Sequence, residues 1–303
     1  MEKKLSFTKM TGAGNDFIVF GSGCPALRSA DIVHLCDRKY GIGADGVMAL
    51  RDGAGEFAFA VDFWNSDGSS GMLCGNGARC ILEYARLTGR IALGRETAFS
   101  FAGSPYSGEI LEPGLVRFDL SPNFRLEAVD DLELDGQRLR GHFVDVGSPH
   151  FVIQTGSIPR ATGASGKSGP NGLAGASGEF GGGGVARYVN LDEVPVFELG
   201  RRIRLHRRFA PRGVNANFIE LKEGKVFVRT YERGVEDETL ACGTGSTASA
   251  LVCLALGLAK SPVRIVTRSS EELVIGIGTE EGRITSLSLT GPARKIFSGS
   301  ISL

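Results

Sequence analysis

Apolar residues alternate with polar ones, or stand in short runs between turn residues, at 5–9, 16–20, 57–64, 97–101, 115–120, 141–146, 151–154, 216–221, 225–231, 263–266, 272–277 and 285–289. This pattern predicts short β-strands. Helical spacing predicts fewer elements, over 29–37, 77–87, 194–201 and 244–256. The last of these is apolar nearly all round, through Ala248, Ala250, Leu251, Val252, Leu254, Ala255 and Leu256, and therefore has to be buried on every face. Many strands with one fully buried helix fit a sheet curled around that helix.

The pattern fails between Gly156 and Gly184. Glycine falls at 163, 166, 169, 172, 175 and 178, and four more run together at 181–184. Pro159 and Pro170 are the only prolines there, so the three-residue period does not make a collagen helix. Leu173 and Phe180 are the only large apolar residues after Ile158, too few to offset the entropy of ordering the segment. Residues 156–185 are expected to form a flexible Gly-rich surface insertion. No phosphate-loop spacing occurs in it.

Length and charge narrow the function classes. A chain of 303 residues can hold two domains of ordinary size. Basic and acidic residues balance at 34 each, which disfavours a nucleic-acid-binding surface. The N-terminal Met1-Glu2-Lys3-Lys4-Leu5-Ser6 lacks the apolar core of a secretory signal, and no apolar run is long enough to span a bilayer. A soluble, cytoplasmic protein with no membrane partner is expected. Six cysteines in such a chain are expected to be reduced. Neither they nor His34, His142, His150 and His206 have metal-ligand spacing, so no metal is expected. Cys80 and Cys253 fall among apolar helical neighbours and are read as core.

The candidate chemistry lies in a phrase that occurs twice, 168 positions apart: Leu73-Cys74-Gly75-Asn76-Gly77 and Ala241-Cys242-Gly243-Thr244-Gly245. Each copy leads into a predicted helix. A cysteine at a helix N-terminus meets unpaired N–H groups and the positive end of the macrodipole. That setting is expected to lower its pKa from about 8.5 towards roughly 3.5–7.5. The echo extends upstream, where Phe63-Trp64-Asn65-Ser66-Asp67-Gly68 answers Thr230-Tyr231-Glu232-Arg233-Gly234. Gly14-Asn15-Asp16-Phe17-Ile18 answers Val214-Asn215-Ala216-Asn217-Phe218-Ile219 more loosely. These echoes predict an internal duplication with two thiols facing one substrate. Two helix starts aimed at one point form a carboxylate site. A carboxylate held there, with Cys74 and Cys242 on opposite sides of its α-carbon, could lose a proton to one sulfur and regain one from the other. That is inversion at carbon without a cofactor.

The residues also carry a family resemblance. Segments 7–17 (Phe7 to Phe17), 40–46 (Tyr40 to Gly46), 65–69 (Asn65 to Ser69) and 74–80 (Cys74 to Cys80) are similar to those of the diaminopimelate epimerases. So are Gly147-Ser148-Pro149-His150, Val214-Asn215, Tyr231-Glu232-Arg233-Gly234, Ala241 to Gly245, and Thr290-Gly291-Pro292-Ala293. The resemblance spans almost the whole chain apart from the Gly-rich insertion. It implies an α+β fold of two pseudo-symmetric domains, each a curled mixed β-sheet wrapped around a central helix. The first half would be residues 1–120 plus 288–303 and the second 121–287.

The resemblance further implies a reaction without pyridoxal phosphate that interconverts LL- and meso-diaminopimelate for lysine and peptidoglycan, by an enzyme expected to be a homodimer. On that basis Cys74 and Cys242 match the two catalytic bases, and Gly75, Asn76, Gly243 and Thr244 the carboxylate-binding helix starts. Asn15, Asn65, Asn215, Glu232 and Arg233 match substrate contacts, while His150 and Glu232 match positions that tune the thiols. Three departures stand out: Ser148 replaces the usual asparagine, Thr11 a common histidine, and three residues (Val235-Glu236-Asp237) precede Glu238 where the family has two. The alternatives are a racemase of proline, hydroxyproline or histidine on the same fold, or a non-catalytic ligand-binding member. Asn76, where proline racemases carry histidine, disfavours the first, and the presence of both cysteines the second.

Overall fold

Reading along the chain, one series of elements is built twice. The computed structural model describes residues 4–71, 74–134, 136–160 and 187–302, so most of the expected Gly-rich insertion lies outside the described residues. The first series is β1 (Lys4–Gly12), β2 (Asn15–Phe20), α1 (Ser29–Cys36), β3 (Gly46–Asp52), β4 (Phe59–Asn65), α2 (Gly75–Leu87), β5 (Thr97–Phe101), β6 (Ser104–Glu112) and β7 (Leu115–Leu120). After β8 (Arg125–Leu134) come β9 (Gln137–Asp145), β10 (Pro149–Gln154), α3 (Val196–Arg204), β11 (Asn215–Lys222) and β12 (Lys225–Glu232). The short β13 (Asp237–Thr239), then α4 (Gly243–Ala255), β14 (Val263–Val266), β15 (Glu272–Glu280), β16 (Arg283–Pro292) and β17 (Arg294–Ser302) complete the chain.

Pairing repeats with the elements. In the first series β1–β2 is antiparallel, β2–β3 parallel across α1, β3–β4 antiparallel and β4–β5 parallel across α2, after which β5, β6 and β7 run antiparallel. In the second, β9–β10 is antiparallel, β10–β11 parallel across α3, β11–β12 antiparallel and β12–β14 parallel across α4, and β14, β15 and β16 run antiparallel. Parallel neighbours need a long crossover, and here each crossover contains a helix. The two series join where β7 pairs with β16, and β17 lies on β1 as β8 lies on β9. This is the pseudo-symmetric α+β architecture expected from the duplicated phrase.

Each sheet buries both faces, and strand parity decides which residue goes where. On β2, Phe17 and Val19 pack with α2 while Ile18 and Phe20 pack beneath α1. On β11, Ile219 joins the core of α4 and Ala216 and Phe218 join that of α3. α4 is enclosed from Gly245 to Cys253, but the expectation of burial through its C-terminal end is corrected: Leu254 is half-buried, and Ala255 and Leu256 are exposed. Cys80 and Cys253 are wholly buried, and among the described residues no cysteine forms a disulfide.

Some boundaries and elements differ from the expectation. α3 starts after Pro195, two residues late, and contains Gly200, where a Cβ would come within 2.3 Å of Tyr231 Cβ. β3, β6, β8 and β17 carry no clean alternation. A bulge between Val129 and Leu132 shifts the phase of β8, and β17 is exposed along most of its length. The looser echo is corrected as well. Asn15 opens β2, whereas Asn215 opens β11, the counterpart of β3, so these asparagines are not equivalent positions.

Candidate active site

Parity and strand ends bring the candidate residues together. Asn15 opens β2, Asn65 ends β4, His150 lies at the start of β10, Asn215 opens β11 and Glu232 ends β12. Asn65 and Glu232 therefore occupy equivalent ends, as their distances from the two cysteines suggested. Cys74 and Cys242 are the N-cap residues of α2 and α4, with nearly identical extended backbones (φ −121°, ψ 108° and φ −124°, ψ 113°).

The two helix starts touch. A Cβ built on Gly243 would lie 3.8 Å from Gly75 Cα and 3.5 Å from Asn76 Oδ1. Both glycines also press on the same methyl group, Leu289 Cδ2, which would stand 2.9 Å from a Cβ at Gly75 and 3.1 Å from one at Gly243. A side chain at either glycine would press on Leu289 rather than on the facing helix, and the two helix starts lie in van der Waals contact, so their unpaired N–H groups are gathered into one small region.

Each sulfur has a local partner. Cys74 Sγ accepts from the Gly77 N–H at 3.4 Å, and Cys242 Sγ lies 3.4 Å from Thr244 Oγ1. Here the expectation of depressed thiol pKa values is overturned. Burial pushes Cys74 up to about 11; the Gly77 N–H offsets part of this, and the Glu232 charge adds a smaller upward push. Burial and the same carboxylate push Cys242 up further. Desolvation outweighs the helix start for both thiols.

Glu232 is itself raised by burial, although Thr239 Oγ1 donates to it at 2.8 Å and the Cys242 thiol lies within hydrogen-bonding reach. His150 is wholly buried. Its Nδ1 lies 2.9 Å from Asn217 Oδ1, and Asn217 Nδ2 donates to Thr230 Oγ1 at 2.8 Å. That second bond assigns Oδ1 of Asn217 as the acceptor, so the proton of a neutral His150 is on Nδ1 and Nε2 carries a lone pair. Nε2 has no hydrogen-bond partner among the described residues, and burial lowers the imidazole pKa to about 4. The network packs under the first turn of α4, where a Cβ at Gly245 would come within 2.3 Å of Asn217 Nδ2 and 3.2 Å of Cys242 Cβ.

On the other side, Asn76 Nδ2 donates to Asn15 Oδ1 at 2.6 Å, and Asn15 Nδ2 donates to Asp45 Oδ2 at 2.9 Å. Asn215 forms a separate corner, donating to Ser148 Oγ at 2.9 Å and Pro149 O at 3.1 Å while accepting from the Arg233 N–H at 2.8 Å. The serine that departs from the family pattern thus has a defined partner. The Arg233 guanidinium donates to Arg212 O at 3.2 Å, and among the described residues no carboxylate lies within ion-pair distance of it. A cavity of about 270 Å³ lined by Phe143, Pro149, Phe209, Arg212 and Gly213 adjoins this corner, and the cysteines are not part of its lining. Asn65 is bonded locally, to Ser69 Oγ at 3.0 Å.

Sequence reading did not single out Asn217, Thr230, Asp45, Leu289 or Arg79. Asn217 was within reach, because it lies two residues from Asn215 on one strand and therefore shares its face.

A diaminopimelate epimerase family model matches residues 7–109 and 186–296. Diaminopimelate epimerase of Aquifex aeolicus is 34% identical over 312 residues, covering 98% of each chain. That of Chlorobaculum tepidum is 35% identical over 302 residues, covering 97% of this chain and all of its own. Among solved structures, a hydroxyproline epimerase from Agrobacterium vitis with bound trans-4-hydroxy-L-proline superposes with a TM-score of 0.68 at 14% identity, covering 100% of this chain and 94% of its own. A probable proline racemase from Agrobacterium radiobacter gives 0.67, also at 14%, covering 99% and 93%. At that identity the structural matches establish the fold alone.

Proposed function

The chain belongs to the diaminopimelate epimerase family, and from that premise we propose that it interconverts LL- and meso-2,6-diaminopimelate with Cys74 and Cys242 as its two bases. The observation that carries the reading is the contact between the two cysteine-capped helix starts through Gly75 and Gly243. The substrate α-carboxylate lies over the N–H groups of Gly75, Asn76, Gly243 and Thr244, with its α-carbon between the sulfurs. One sulfur enters as thiolate and takes the α-proton, and the electron pair spreads onto the carboxylate against the helix starts. The other enters as thiol and gives its proton to the opposite face, so the pair leaves with its protonation exchanged. Acid–base transfer of this kind is worth about 10²–10⁴-fold, and the remaining acceleration comes from preorganised donors in a dry site.

The high thiol pKa values fit this task, because a thiolate of high basicity takes a carbon-bound proton more readily. Glu232 beside Cys242 and the free Nε2 of His150 are the groups that adjust the resting proton count. Asn15 holds the near end of the substrate, while Asn65, Asn215, Glu232 and Arg233 recognise its distal amino-acid head. A second carboxylate gives Arg233 the partner that it lacks among the described residues, and a monocarboxylic amino acid would leave it unpaired. The chemistry uses the protein's own groups, without metal or organic cofactor.

Cysteines without disulfides among the described residues fit a reducing cytoplasm, and exposed Ile296 and Phe297 on β17 fit a homodimer. Described helices include none long and apolar enough to cross a membrane. The test is incubation in D₂O with diaminopimelate, proline and histidine in parallel. α-Deuteration with inversion of diaminopimelate alone is the expected result. Inversion of proline or histidine instead would leave the two-base chemistry standing and remove the substrate.

A further inference from the structure

We propose that Arg79 is a positioning residue for the Cys74 side of this reaction, locking the start of α2 and supplying the positive charge that faces the anion formed there. The proposal rests on the two-base reading above. Arg79 has no exposed surface and is one of the largest fully buried side chains in the protein. Its Nη1 donates to Gly75 O at 3.1 Å and its Nη2 to Asn76 Oδ1 at 2.9 Å, while Nε has no partner among the described residues. Gly291 of β16 closes over the group, and a Cβ there would stand 3.3 Å from Nε. Among the described residues no carboxylate lies within ion-pair distance. Glu271, the one carboxylate within its electrostatic reach, is paired with Arg294.

An uncompensated guanidinium in a sealed interior is unfavourable unless an anion answers it. The other ionisable groups that act on it are Cys80 first and then Cys74, and Glu232 acts on Cys74 from β12 more strongly than Arg79 does. By fixing Oδ1 of Asn76, Arg79 turns Nδ2 towards Asn15, which sets the Arg79–Asn76–Asn15–Asp45 chain in one direction.

The second half shows which part of this is structural. Aligning Cys74 with Cys242 puts Thr247 at the place of Arg79, and Thr247 Oγ1 donates to Gly243 O at 3.0 Å. A neutral hydroxyl therefore makes the same carbonyl clamp, so clamping alone does not call for arginine. What Arg79 adds is charge. The opposite contrast holds at the strand ends, where Glu232 stands by Cys242 and neutral Asn65 occupies the equivalent end. The duplicated site is electrically unequal: the Glu232 carboxylate acts on both sulfurs, and the Arg79 cation counters it at Cys74 only.

Differential alkylation tests this in the absence of substrate. Neutral iodoacetamide and anionic iodoacetate are reacted separately with wild type, Arg79→Met and Arg79→Lys at pH 8.5, and each cysteine is quantified by peptide mass spectrometry. In the wild type the iodoacetate-to-iodoacetamide rate ratio is expected to be higher at Cys74 than at Cys242. Arg79→Met should slow Cys74 alkylation about tenfold, the effect of one pKa unit on the thiolate fraction. It should leave Cys242 unchanged, and Arg79→Lys should restore Cys74. An unchanged Cys74 rate in Arg79→Met, or equal slowing of both cysteines, overturns the proposal. If Arg79→Met does not fold by circular dichroism, the wild-type ratios decide, and equal or reversed ratios overturn it. Deuterium exchange into diaminopimelate by the same wild-type preparation separates the two readings. Its failure removes the substrate assignment, while the alkylation contrast alone judges Arg79.

Discussion

Replacing His150 with glutamine should flatten the acid side of the stability profile. A model imidazole titrates near 6.5, and burial holds His150 at about 4 in the folded protein. The unfolded chain therefore binds a proton between those values that the folded chain does not. Stability falls as the pH drops through 6.5 and stops responding to this group below about 4. At 1.36 kcal/mol per pH unit, the complete window corresponds to about 3 kcal/mol. His150→Gln cannot titrate there, so wild type should lose about 3 kcal/mol relative to the variant between pH 7 and pH 4, and nearly nothing between pH 8 and pH 7. Urea unfolding followed by circular dichroism at half-unit steps measures both proteins, and the difference between the curves cancels every carboxylate they share. A difference that stays constant from pH 7 to pH 4 would refute a buried neutral imidazole, and with it the assignment of a lone pair to Nε2.

Three further outcomes are expected. Cys74→Ala and Cys242→Ala should each abolish epimerisation while keeping the fold, and each should still exchange deuterium into one epimer through the surviving base; full activity in either variant would remove the two-base reaction. Arg233→Met should lower kcat/KM for diaminopimelate by roughly 1.5–3 kcal/mol, the scale for losing a hydrogen bond to a charged group, and normal kinetics would place the distal carboxylate elsewhere. Leu251→Ala, in the enclosed helix α4, should lower unfolding stability by about 2–5 kcal/mol, because the residue is almost wholly buried and the site has little room to collapse; a loss under about 1 kcal/mol would mean that the core there repacks.

Local chemistry was legible in the sequence and long-range chemistry was not. The cysteines could be found because a cap followed by glycine and a helical run is a contiguous signal, and its repetition implied two equivalent helix starts. Asn65 and Glu232 could be matched because their distances from the cysteines reflect one strand–helix geometry. Arg79 was hidden inside a helix, where nothing local says that its guanidinium is sealed beneath Gly291 of a distant strand. The direction of the thiol pKa values was misread for a related reason. A helix start is visible in one dimension, but the burial that outweighs it is created by packing. Alternation revealed the strands that bury a regular face, and it missed β8 and β17, where a bulge and a solvent-facing surface erase the pattern.

The pairing of β17 with β1 has a consequence for biosynthesis. The half that leaves the ribosome first is edged by a strand made after the whole of the other half, so its outer β1 waits for residues 294–302 before pairing on both sides. The later half has its own edge strand, β8, already in hand just ahead of β9. At roughly 5–20 residues per second, the N-terminal half spends many seconds with β1 uncovered on one side. The half begun first is therefore completed only after the whole of the other half has been made.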